Sequence, residues 1–79
     1  MARTPLTLPV SGLKFRTVRE KAGLEQIDVE RLTALRGYRV HRTRLSRIET
    51  GQVKPTPPQL RVLVDVYGVA VEDVMEPAA

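Results

Sequence analysis

The chain has 79 residues and a net charge of +4 at pH 7, enough for one small domain and too short for a second core. It has no cysteine, which excludes disulfides and thiolate metal sites. No apolar run reaches membrane-spanning length, and the opening MARTPLTLPVSG lacks the apolar block of a secretory signal, so a soluble cytoplasmic protein is expected.

Residues 1–11 contain Pro5, Pro9 and several threonines and read as an irregular arm. Ser11 is a candidate cap for a first helix over 12–22. There Phe15, Val18 and Ala22 repeat at the spacing of a buried stripe, and Gly23 supplies a left-handed stop. A second helix is expected over 26–35, with Val29, Leu32 and Leu35 inward. RGYRVH, residues 36–41, shows no periodicity and reads as a loop that Tyr38 and Val40 fasten to the core. A third helix starts at 42 or 43 and runs to 50, where Gly51 stops it. Thr56 and Pro57 form a cap and first-turn pair for a fourth helix that ends at Tyr67 before Gly68; Leu60, Leu63, Val64 and Tyr67 face inward. The valines at 62, 64, 66, 69 and 71 make a strand over 60–71 the alternative, against which the Thr–Pro cap argues. A short fifth helix over 71–76 presents Val71, Val74 and Met75, and Pro77 closes it. The expected fold is all-α, a compact bundle of about five short helices over 12–76, with 77–79 as a tail.

The charge is concentrated. Between residues 31 and 54 stand Arg31, Arg36, Arg39, Arg42, Arg44, Arg47 and Lys54, answered inside that window by Glu49 alone; Glu30 lies just outside it. A basic centre between acidic flanks is the footprint of an anion-binding face, with a solvated helical surface as the plain alternative. On a wheel of the third helix, Leu45 and Ile48 define the inward side. Thr43, Ser46 and Thr50 point outward, with Arg42, Arg44 and Arg47 on the flanks. A helix anchored by one face and presenting hydroxyls and guanidiniums on the other suits the major groove of DNA, where arginine bonds guanine edges and Ser or Thr bonds several bases.

Enzyme chemistry is not expected. His41 is the only histidine, the carboxylates are scattered, and no glycine-rich phosphate loop follows a strand. No cofactor, metal or small-molecule ligand is implied.

The order of FRTVREKAGLEQ, TRLSRIETGQVKPT and LRVLVDVYGVAVEDVM resembles the Cro/C1-type helix-turn-helix family (XRE family, lambda-repressor-like) over roughly residues 12–75. The resemblance implies a five-helix domain whose third helix enters the major groove. It implies Arg42, Thr43 and Arg47 as base-reading residues, with Ser46 beside them at the groove wall. Gln26, Arg44 and Lys54 fall at positions that meet the DNA backbone, and Arg19 and Glu49 match a pair that joins helices 1 and 3. Two departures stand out. The connection between helices 2 and 3 is longer by about five residues than the family's usual short turn, so either helix 2 gains a turn or the turn becomes a loop; Arg36 and Arg39 lie there as further backbone contacts. Glu25 also stands where the family prefers Ser, Thr or Asn. The expected function is a sequence-specific DNA-binding transcriptional regulator, most simply a repressor, acting as a homodimer on double-stranded DNA. The alternative is an antitoxin or interaction module that keeps the same fold.

Overall fold

Helices form where a cap, an apolar stripe and a stop coincide: α1 (Gly12–Lys21), α2 (Gln26–Leu35), α3 (Arg42–Glu49) and α4 (Pro57–Tyr67), followed by one 3-10 turn at Val71–Val74. The structure is a computed structural model and describes residues 9–76. Ser11 Oγ accepts from the Lys14 N–H at 3.2 Å to start α1. At α4, Thr56 Oγ1 accepts from Gln59 N–H (3.3 Å) and Gln59 Oε1 from Thr56 N–H (3.0 Å), with Pro57 following. That reciprocal cap decides residues 60–67 for helix. Their valines fit because α4 packs on α2 along one side and on the closing turn along another, so both Val62 and Val64 are buried. Among the described residues there is no strand beyond an isolated antiparallel bridge between Val10 and Met75.

The core gathers Phe15 from α1, Val29 from α2, Leu45 and Ile48 from α3, Leu60 and Leu63 from α4 and Val74 from the closing turn. α1 and α2 both pack on α3, which leaves α3 with one free side. No described helix is long and apolar enough to cross a membrane.

Several expectations shift. The irregular arm expected through residue 11 ends earlier, because residues 9–11 are stitched to 74–76. Ser11 N–H donates to Val74 O at 2.8 Å, Glu76 N–H donates to Pro9 O at 2.7 Å, and Val10 is buried. Residues 1–8 and 77–79 lie outside the described residues. The fifth helix is a single 3-10 turn over 71–74, with Val71 exposed and Val74 buried. Ala22 is exposed as the C-cap of α1. Leu35, expected inward, is 82% exposed, and Thr33 is buried instead. The buried face of α2 centres on Val29, Glu30 and Thr33; two residues beyond Thr33 is about 200° around the helix, nearly opposite.

Gly12 marks a tight approach between two helices. A Cβ there would stand 2.5 Å from Ile48 O and 2.6 Å from Glu49 O, so α1 meets the carbonyl end of α3 with no room for a side chain. Gly12→Ala should therefore lower the free energy of unfolding by about 1–3 kcal/mol. This is despite a gain in helix propensity of up to about 1 kcal/mol. Urea unfolding measures the sign, and a variant as stable as the parent would show that α1 and α3 can part freely.

Candidate nucleic-acid interface

α3 spans eight residues, little more than two turns. Leu45 and Ile48 fix one face to the core, but the ends need partners from elsewhere. At the N-terminal end the side chain of His41 accepts from Thr43 N–H through Nδ1 (3.1 Å), which requires the ring proton on Nε2. The next donor, Arg42 N–H, reaches across to Glu30 Oε1 on α2 at 3.0 Å. The other Glu30 oxygen accepts from the Arg39 guanidinium. One turn along α2, Thr33 Oγ1 accepts from Val40 N–H at 2.9 Å and bonds Val29 O at 2.9 Å, while Thr33 O accepts from Tyr38 N–H at 3.1 Å.

These bonds settle how the long connection is built. α2 gains no turn; it ends at Leu35, Gly37 turns the chain at φ 87°, and residues 38–42 run back along α2 tied to Thr33 and Glu30. Val40 is buried beneath this segment as expected, whereas Tyr38, expected to help fasten the loop to the core, is exposed.

At the C-terminal end of α3, Glu49 is buried and accepts from Arg19 Nε (2.7 Å), Arg19 Nη2 (3.0 Å) and Gln26 Nε2 (3.3 Å). Arg19 also donates from Nη1 to Leu24 O at 2.9 Å, so one guanidinium joins α1, the α1–α2 turn and α3. The bond to Glu49 raises the Arg19 pKa above its ordinary value, and the pair is bidentate and shielded. Tyr67 lies within the field of this pair; burial first, and the Glu49 charge second, push its phenol pKa up and keep it neutral.

The face of α3 turned from the core carries Arg42, Thr43 and Arg47, all exposed, with Ser46 half-buried. Arg42 and Ser46, and Thr43 and Arg47, are each four apart, so the four make one patch. Among the described residues, neither Arg42 nor Arg47 has an acidic partner. Of the other cations of the basic segment, Arg31 is exposed on α2 without a partner among the described residues, and the remaining four are engaged. Arg36 Nε meets Asp65 on α4 at 2.5 Å and Arg39 meets Glu30. Arg44 Nη2 donates to Lys54 O at 3.0 Å, which turns that side chain toward the loop after α3, where its Nε is buried without a partner. Lys54 Nζ donates to Val10 O at 3.1 Å. Gln26 sits at the foot of the patch, lining a hollow of about 200 Å³ with Arg16, Arg19, Ser46, Glu49 and Thr50. Glu25 is exposed, and its N–H is taken by the Asp28 carboxylate at 2.8 Å. No described cluster of His, Cys, Asp and Glu is placed to hold a metal.

Sequence reasoning missed Glu30, Thr33 and His41. A signal existed for the first two, which stand three apart on the Val29 side of α2. Their partners lie 7 to 12 positions further on, in a loop with no periodicity to read.

Residues 12–76 match a family model described as a helix-turn-helix domain. No curated protein matches the chain, and no solved structure does.

The Arg39 guanidinium first, and the Arg42 N–H second, lower the Glu30 pKa from 4.5 to about 2. A carboxylate depressed in the folded state contributes stability in full above its unfolded pKa and loses it as pH falls toward the folded one. The stability gap between the parent and Glu30→Gln should therefore be widest above pH 4.5 and close as pH falls toward about 2. Denaturant unfolding across that window measures it; a gap independent of pH would contradict the ionised clamp.

Proposed function

Because the chain belongs to the helix-turn-helix domain family, a family that suggests DNA binding, we propose that it is a sequence-specific transcriptional regulator of the Cro/C1 type, acting as a repressor on operator DNA in the cytoplasm. The observation that carries this reading is the outer face of α3. Arg42 and Arg47 are exposed there without acidic partners while most cations around them are engaged, and Thr43 and Ser46 stand between them. In this reading Arg42, Thr43 and Arg47, with Ser46 at the wall, meet base edges in the major groove. Gln26 meets a phosphate and braces α3 through Glu49. Lys54, Arg44, Arg36 and Arg39 are the backbone contacts in this reading.

A single small module offers limited contact area, and a homodimer on half-sites about one helical turn (~34 Å) apart supplies the rest. The pairing surface in this reading is the end of α4 with the closing turn. There Val64, Val69 and the exposed Val71 line an apolar groove of about 420 Å³ with Pro57 and Leu60.

Selection from a random duplex pool, paired with a mass measurement in solution, tests the reading. An enriched two-fold motif and a dimer mass are expected; no binding at low salt would overturn it in favour of a protein-interaction module. On the enriched duplex, affinity should fall steeply with salt through counterion release. Arg47→Ala should cost about 1–3 kcal/mol and relax preference at one base position, whereas Lys54→Ala should weaken every sequence alike. Equal losses on all sequences for Arg47→Ala would remove it from the reading set.

A further inference from the structure

Glu30 is an acid on the side of the molecule that faces the reading helix, and it is 4% exposed. Both of its oxygens are used, one by the backbone N–H of Arg42, the first residue of α3, and the other by the guanidinium of Arg39. Arg39 is not buried with it: its side chain stays 62% exposed, and its other N–H donors take no partner among the described residues. The result is a buried carboxylate standing behind an exposed guanidinium, next to the start of the helix that carries the patch. A guanidinium held from behind loses little further freedom when its open edge bonds an oxyanion.

We propose that Glu30 is a positioning residue for DNA recognition: it aims α3 through the Arg42 N–H and presents Arg39 as a fixed clamp for a backbone phosphate at the start of that helix. The proposal rests on the DNA-binding reading above. It makes a prediction opposite in sign to simple electrostatics. Removing a negative charge beside a DNA-binding face should strengthen attraction to DNA at every sequence. Loss of the clamp should instead weaken binding where shape and register matter.

The test uses the full chain, the duplex enriched by selection and a scrambled duplex of equal length. Glu30→Gln, confirmed folded by circular dichroism, should lose about tenfold in affinity for the enriched duplex. It should lose none for the scrambled one, and its salt dependence should stay that of the parent. Glu30→Asp keeps the charge but shortens its reach, and should show the same selective loss; it carries the test if the Gln variant does not fold. Arg39→Ala, which takes a partner from the buried Glu30 and is likewise confirmed folded by circular dichroism, should weaken both duplexes and reduce the magnitude of the slope of log affinity against log salt by about one. Binding of the enriched duplex by a folded Glu30 variant as tightly as by the parent, or an unchanged salt slope for Arg39→Ala, overturns the proposal while leaving DNA binding intact. A parent chain that enriches no duplex overturns the underlying reading and this proposal with it.

Discussion

A helix of little more than two turns cannot set its own direction, and α3 takes its direction from two buried carboxylates, Glu30 at its start and Glu49 at its end. Each acid belongs to the structure through more than one donor. Glu30 holds Arg39 and the Arg42 N–H, and Glu49 holds Arg19 and Gln26. Buried charges of this kind are stable only as long as every partner is present, because a lone buried carboxylate is strongly unfavourable. That condition is what makes them specific. α3 cannot rotate or slide without stranding one acid, whereas Leu45 and Ile48 alone would tolerate small shifts.

Internal partners, Glu30 among them, sort the positive charge. The segment from 31 to 54 is strongly basic in sequence, yet in the folded chain Arg36, Arg39, Arg44 and Lys54 all have internal partners. The cations left at the middle of the α3 surface are Arg42 and Arg47. The field is thereby focused on the face that carries Thr43 and Ser46, and the surrounding arginines serve first to hold loops in place. The long connection between α2 and α3 follows the same logic. Its extra length runs back along α2 through Thr33 and Glu30, so the connection braces α3.

Element ends were legible because their causes are local. Ser11, the Thr56–Pro57 pair and Gly68 act within one turn of where they stand, and α1 begins, and α4 begins and ends, at the residues those signals name. The departures share a different cause. Leu35 continues the apolar stripe in sequence, but the returning loop claims the adjacent face of α2 for Thr33, whose hydroxyl the Val40 N–H requires. Val10 reads as part of an arm because Pro5 and Pro9 precede it. It is buried because Met75 lies across from it, 65 positions along the chain. Apolar spacing tells which side of a helix can be buried, and the neighbour decides which side is.

The candidate site divides along the same line. The sequence by itself determined the all-α fold, the position of α3, its anchoring by Leu45 and Ile48, and an outer side of Thr43, Ser46 and Thr50 flanked by Arg42, Arg44 and Arg47, because these depend on helical periodicity and nearby caps. Through family motifs it also suggested Arg19 with Glu49, which meet in the folded chain. Only the tertiary structure decided which arginines remain without acidic partners and what sets the direction of α3. Both depend on hydrogen bonds between groups far apart in sequence, from Glu30 to the segment beyond it and from Lys54 to Val10. A charge in a sequence has no partner until the chain folds and brings one within reach.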